Sequence, residues 1–418
     1  MLSQCPHFVL DPKADPTEEA RKLHALGSLV PVELPGGVTA WTATDHATAQ
    51  EVLGHPALTK DPEHWPALRN GQIPDDWELI ALVRGAAMLH AGGDDHRRLR
   101  TLVSSAFNRA PVEALRPRVA EIAGELLDDV ASADRGEPVD LRELFAWPLP
   151  VRVICEVLGV PDSVVSELRA HFDRLVIPDA TSDGADIRVA VAAIYRSLTT
   201  LIEIKRADPE PQNDLTTELI RSRDDGDRLN DQELVETLFL ILISGHETAI
   251  NSITNTVRAL LQNPKMLAAV IDGGENAPTW ADAVEEGLRR WAPVRHAILR
   301  YATEDIVIAG VRIAKGDPVA ASLFAAGLDK SRHENPEEFD VNRPTRRDHL
   351  AFAYGAHFCL GQRLAKLETE VALSTLFTRY PGLTLARDPE RLTSISLQGF
   401  GTLPVHLGPE HAARPTIR

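Results

Sequence analysis

Cysteine is scarce in this chain: three residues among 418, Cys5, Cys155 and Cys359, far apart and odd in number. That excludes a disulfide scaffold and suits a reducing, cytoplasmic setting. No run of about 18 apolar residues occurs, which argues against a membrane-spanning helix. Met1-Leu2-Ser3-Gln4-Cys5-Pro6 lacks a basic region followed by an apolar stretch, so no secretory signal is expected. Basic charge is also short: 44 Lys and Arg against 61 Asp and Glu leave a net charge of -17. Such an excess disfavours nucleic acid and anionic membranes as partners. It still permits a local basic patch for a small acidic protein. The rest is ordinary for a globular protein, with 44% hydrophobic and 25% charged residues.

One stretch stands out: Phe352-Ala353-Tyr354-Gly355-Ala356-His357-Phe358-Cys359-Leu360-Gly361. It leads into an amphipathic segment, 360–380, with Leu364, Leu367, Val371 and Leu376 at helical spacing. Cys359 therefore belongs at or just before a helix N-terminus, where backbone N–H groups and the helix dipole favour a thiolate. Gly355 and Gly361 are expected where the backbone bends and comes close to a flat ligand. A lone cysteine is otherwise most often a small buried hydrophobe.

The rest of the chain reads as mostly helical. A hairpin is expected at 31–44 around Gly36-Gly37, then a short helix at 44–53. Residues 54–92, dotted with Pro56, Pro62, Pro66 and Pro74, read as a long irregular loop. His96 opens a helix to about Phe107 and shares one face with Arg100, which alone suggests a solvated basic turn. Helical patterns follow at 111–133, 140–158, 162–178, 186–206 and 214–223. The longest helix, 231–262, opens on the Asn230/Glu233 capping-box pattern and ends at Asn263-Pro264. Six apolar residues, Leu238 to Ile243, make it central. Ser244-Gly245-His246-Glu247-Thr248 then interrupts it, as a buried polar network or a solvent-facing stripe. His246-Glu247 begins a zinc-protease motif, but Ile250 stands where a second histidine is needed. Glu286 and Arg289 alone make only a surface ion pair. Strands are expected near 298–301, 306–308, 311–313 and 318–322, and short ones in 383–408. The architecture is mainly α, a helix-rich core with small β-sheets in a single domain, 1–418.

The ten-residue stretch resembles the haem-binding loop of cytochrome P450s, Phe-x-x-Gly-x-x-x-Cys-x-Gly. Phe352, Gly355, Cys359 and Gly361 occupy its four fixed positions. The 244–248 segment resembles the family's Ala/Ser-Gly-x-Asp/Glu-Thr, and Glu286-x-x-Arg289 its Glu-x-x-Arg. The 244–248 and 349–352 wording is similar to the actinobacterial branch, with Tyr354 where Gly is common. The resemblance implies a cytochrome P450 fold and haem b, with Cys359 as the iron ligand. His96, Arg100, Arg300 and His357 would hold its propionates. Gly245 would leave room for dioxygen, Thr248 would hydrogen-bond the oxygen being activated, and Glu247 would pass protons from water. Arg343 would join Glu286 and Arg289 in a structural trio.

The implied activity is hydroxylation of a large, mostly apolar molecule, a steroid first and a macrolide or polyketide second. Pocket positions by family analogy are Met88, Leu89, Phe172, Ile177, Phe239, Ile243, Val294, Ala297, Gln398 and Phe400, with Gln398 as a polar anchor. Electrons would come from a ferredoxin and its NAD(P)H-dependent reductase. They would dock on the cysteine side near Arg97, Arg98, Arg109, Arg346, Arg347, Arg363 and Lys366, against a monomer. Two competitors are a peroxide-driven peroxygenase of the same fold, disfavoured by Glu247-Thr248, and a non-enzymatic haem binder, for which the Cys5-Pro6 dipeptide is incidental and which has no need of a proton relay at Thr248.

Overall fold

The computed structural model describes residues 7–84, 88–104, 107, 109–161, 164, 171, 184–210, 212, 214–222 and 228–410. Strand β1 (Phe8–Val9) and helix α1 (Pro16–Leu26) lead into β2 (Leu29–Leu34) and β3 (Val38–Ala43). Gly36 and Gly37 close this hairpin with φ of 80° and 77°, a left-handed pair that glycine adopts without strain. Helix α2 (His46–Gly54) follows, capped by Asp45. The 54–92 stretch is not a bare loop. It holds β4 (Leu58–Thr59) and several single turns. Trp65, Leu68, Ile73, Trp77, Leu79 and Val83 are buried within it, and Trp65 stacks on Tyr301 at 5.3 Å. The aromatic and aliphatic content of the stretch, more than its prolines, decided its state.

Helices α3 (Gly93–Ser104), α4 (Arg116–Ala133) and α5 (Pro148–Leu158) come next. The patterns expected to be continuous at 111–133 and 140–158 are each broken, and prolines explain both breaks. Pro117 opens α4, and Pro148 opens α5 after a π-helical turn at Arg142–Ala146. Each supplies no N–H to a preceding turn. Helix α6 (Gly184–Ala207) precedes α7 (Asp231–Gln262), whose capping box is made in full. The Asn230 side chain accepts from Glu233 N–H at 2.9 Å, and the Glu233 side chain accepts from Asn230 N–H at 2.9 Å. Helix α7 spans roughly 45 Å and packs against α5, α6 and a later helix, α8 (Trp280–Arg290). Gly287 permits the α7–α8 crossing, because a Cβ there would sit 2.3 Å from Thr256 Oγ1.

The chain then forms β5 (His296–Ala302), β6 (Ile306–Ile308), β7 (Val311–Ile313) and β8 (Pro318–Ser322). One sheet has the order β1-β2-β3-β8-β5-β4, and β6-β7 is a separate hairpin. A third small sheet joins Val139–Asp140, Thr384–Leu385 and Pro404–His406. Helix α9 (Gln362–Arg379) runs beneath α7. No helix among the described residues is long and apolar enough to cross a membrane.

Candidate active site around Cys359

The loop before α9 is held by its own backbone. Cys359 N–H donates to Phe352 O at 3.0 Å, Ala353 N–H to Leu350 O at 2.8 Å, and Ala353 takes φ of 59°. Gly355 has φ of 76° and lies on α2: a Cβ would come 2.9 Å from Leu53 O and 3.0 Å from Gly54 Cα. The close approach that the structure shows at Gly355 is to the backbone of α2. Gly361 has an ordinary φ of -78°, and a Cβ there would meet nothing within 4 Å. Phe352 packs between His349, 6.0 Å between ring centroids, and the Lys366 ammonium, 5.4 Å from its ring.

Cys359 is a free cysteine with its side chain accessible. Burial of its surroundings pushes the thiol pKa up. Hydrogen bonding from Gly361 N–H, the nearby Arg100 charge and Gln362 N–H act in the opposite direction. The last two amides begin α9, so the helix terminus faces the sulfur as expected from the pattern.

Helix α3 covers this loop. Arg100 Nη2 donates to Phe358 O at 2.6 Å, and the His96 and His357 rings lie 4.0 Å apart. Arg300, on β5, is 2% exposed, and its Nη1 has no hydrogen-bond partner among the described residues. Burial lowers its pKa to about 10. His357 is pushed down to about 2, by burial first and then by the positive charges of His96, Lys60, Arg300 and Arg100. Sequence reasoning missed Lys60. None of these five side chains has a carboxylate partner among the described residues. A group carrying two carboxylates beside an accessible sulfur fits this donor set: cations without anions, and a thiol at a helix start. Haem b is such a group.

On α7, Ser244 is exposed in mid-helix although its neighbours Leu242 and His246 are buried. Phe239, Ile243 and Thr248 are partly exposed around it. Thr248 Oγ1 donates to Ser244 O at 2.7 Å, so the hydroxyl offers only lone pairs to the site. Glu247 turns away to Arg142, Oε1 to Nη2 at 2.8 Å, with side chains 18% and 11% exposed. Gly245 does not face the site as expected: a Cβ there would meet Ile154 Cδ1 of α5 at 3.0 Å. It serves helix–helix approach. His246 is fully buried and sits 3.1 Å from Trp147 O; burial, chiefly, lowers its pKa to about 3.

Glu286, Arg289 and Arg343 are not a surface pair. They are 0%, 0% and 5% exposed. Arg289 grips Glu286 through Nε at 2.7 Å and Nη2 at 2.8 Å, and Arg343 Nε reaches the same carboxylate at 3.2 Å. The remaining guanidinium protons go to backbone carbonyls of Gly327, Glu334, Asn335, Pro336 and Glu338. The trio locks the segment before the cysteine loop onto α8.

Among the expected pocket positions, Leu89, Phe239, Ile243, Val294 and Ala297 are partly exposed, and Met88 is buried. Phe172 and Ile177 lie outside the described residues. Phe400 is 1% exposed, beneath the Arg258 guanidinium at 4.8 Å, so it belongs to the core and not to a pocket wall. Gln398 is 3% exposed, which also argues against its anchor role. The accessible residue of that turn is Leu397, bridged to Val294.

The fold and this thiol-centred site define a haem-thiolate enzyme. A family model described as Cytochrome P450 matches residues 151–405. The 2-hydroxy-5-methyl-1-naphthoate 7-hydroxylase of Streptomyces carzinostaticus is 38% identical over 98% of this chain and 99% of its own length. The cytochrome P450 monooxygenase PikC of Streptomyces venezuelae is 37% identical over 94% and 91%. The structure described as "Testerone bound CYP154C4 from Streptomyces sp. ATCC 11861" superposes with a TM-score of 0.89 at 37% identity, covering 97% of this chain and 99% of that one. The chain belongs to the cytochrome P450 family, in its bacterial, actinobacterial branch. It is an oxidoreductase, a haem b monooxygenase.

Proposed function

We propose that this enzyme hydroxylates a large, mostly apolar molecule, a steroid in first place and a polyketide in second. The carrying observation is that the apolar residues Phe239 and Ile243 on α7, Val294 and Ala297, and Leu397 bridged to Val294, are all left partly exposed, with Ser244 and Thr248 as polar groups on the same helix as the first two. Apolar walls with few polar groups suit such ligands. The steroid-bound neighbour supports the first reading, and the naphthoate hydroxylase supports an aromatic polyketide-type substrate as the second. With Gln398 buried, substrate orientation rests on shape and on Ser244.

Bound haem supplies oxygen activation, and the Cys359 thiolate would hold its iron. This chain's own residues divide the other tasks. His96, Arg100, Arg300 and His357 bind and orient the carboxylates. Thr248 presents hydrogen-bond acceptors at a fixed position. Glu247 is the acid nearest to Thr248 in the helix and must leave Arg142 to exchange protons with it. Electrons come from a ferredoxin and its NAD(P)H-dependent reductase. Most of the expected docking cations are already neutralised. Arg97 pairs with Asp94 at 2.7 Å, Arg98 with Glu233, Arg346 and Arg347 with Asp282 at 2.5 and 3.3 Å, and Lys366 with Glu285 at 2.7 Å. Arg363 has no acidic partner among the described residues, while exposed Tyr354 and Phe358 flank the cysteine. Docking therefore draws on apolar contact as well as charge.

The test is a reduced-plus-carbon-monoxide difference spectrum with steroid titration of the ferric protein. A thiolate-type band and a low-to-high-spin shift are expected. Folded, haem-loaded protein without that band overturns the haem-thiolate site. A normal band without a shift moves the substrate to the polyketide class. Turnover driven by peroxide but not by ferredoxin would favour the peroxygenase.

A further inference from the structure

Lys60 lies where buried lysines are rare: it is 9% exposed, follows β4 directly, and has no carboxylate partner among the described residues. Strands β4 and β5 pair antiparallel, Leu58 with Ala302 and Thr59 with Tyr301. The same register extended by one residue sets Lys60 opposite Arg300. Directly opposed residues of an antiparallel pair share one face, and like charges there repel. The Lys60 ammonium spends one donor on Ile298 O at 3.0 Å, two residues along β5. Two donors are left over, beside a guanidinium whose Nη1 is also unused. Buried His90 adjoins the same ammonium, and Gly92 brings that segment across β4, where a Cβ would lie 2.4 Å from Thr59 Oγ1.

We propose that Lys60 is a further positioning residue for the haem, its ammonium binding a propionate carboxylate jointly with Arg300. The proposal rests on the haem site described above. Its physical basis is that two buried cations facing each other, with donors to spare and no paired acid among the described residues, stay charged together at low cost only when an anion joins them. Electrostatics agree: burial, then the Arg300 charge, lowers Lys60 to about 7, and burial, then Lys60, lowers His90 to about 4. A carboxylate between them reverses that depression.

Haem transfer from the ferric holoenzyme to excess apomyoglobin tests this, using Lys60→Gln, Lys60→Met and Lys60→Arg. Glutamine keeps a donor for Ile298 O but carries no charge. Gln and Met should release haem about tenfold faster, and Arg within about twofold of wild type, as for loss of one charge-assisted hydrogen bond. The ferric–ferrous midpoint potential should also fall in the Gln variant, because a nearby cation favours the ferrous state. A Gln variant that lacks haem but keeps wild-type helical circular dichroism is the extreme of the expected result. Wild-type haem release in Gln, or loss of helix in Gln, overturns the proposal: Lys60 then acts through Ile298 alone. The carbon monoxide spectrum of wild type separates the two failures. A missing thiolate band there sinks the haem site itself, whereas a normal band with wild-type retention in Gln sinks only Lys60.

Discussion

Two buried basic clusters in this molecule solve the same electrostatic problem in opposite ways. Around Glu286, two guanidiniums share one carboxylate and spend their remaining protons on backbone carbonyls. Around Arg300, an ammonium, two guanidiniums and two imidazoles meet with no carboxylate paired to any of them among the described residues. The first is complete within the protein and therefore structural. The second is incomplete and therefore describes a ligand's charge. Burial alone does not distinguish them, since Arg289 and Arg300 are 0% and 2% exposed. What distinguishes them is whether the protein itself supplies the counter-charge. The Arg142–Glu247 pair lies between: it is made, yet Arg142 Nη1 and Glu247 Oε2 have no partner among the described residues. A pair that leaves donors and acceptors unused is cheaper to open than a saturated one.

The contrast is open to direct attack. Glu286→Gln should be the most damaging change, because it strands two buried guanidiniums at a cost of about 3–5 kcal/mol. Little folded, haem-loaded protein should be recovered, as read by the carbon monoxide band and circular dichroism. A normal yield would mean that the carbonyl bonds alone hold the trio. Glu247→Gln should leave haem loading intact, lower the rate of product formation by about a hundredfold, the usual size of a lost proton donor, and lower product formed per NAD(P)H. Equal coupling in both proteins would remove Glu247 from proton delivery. Arg300→Met should barely alter thermal unfolding, since an apolar residue relieves an unpaired buried charge, but should speed haem release about tenfold. A large loss of stability with unchanged haem release would make Arg300 structural like Arg289.

Glu368 offers the mildest test and a third solution, neutralisation. It is 2% exposed, and burial raises its carboxyl pKa from 4.5 to about 8. The folded protein thus holds a proton that the unfolded chain releases above pH 4.5. That contribution is full below pH 4.5 and is lost as pH rises through about 8. Wild-type Tm should therefore fall more between pH 6 and pH 9 than that of Glu368→Gln, by a few degrees (~2–4 °C). Parallel curves would show a carboxylate that stays charged through a partner.

The family signature was legible because it is local. Phe352, Gly355, Cys359 and Gly361 lie within ten residues, and a cysteine just before an amphipathic helix has its amide environment set by chain geometry. Strands 306–308, 311–313 and 318–322 and the capped helix 231–262 were readable for the same reason: periodicity and caps act within a few residues. The splits at Pro117 and Pro148 were written in the sequence too, but apolar periodicity masked them.

Other features belonged to the tertiary structure alone. Gly245 faces Ile154 on a distant helix, and Phe400 lies under Arg258. Glu247 meets Arg142, and Lys60 meets the strand carrying Arg300. Spacing along the chain says nothing about such partners, because they are chosen by how helices cross and strands register. The sequence by itself determined the class of chemistry, through one cysteine and its loop. Only the packed structure decided which buried charges were balanced within the protein and which were left for a ligand, because counter-charge is a property of space and not of order along the chain.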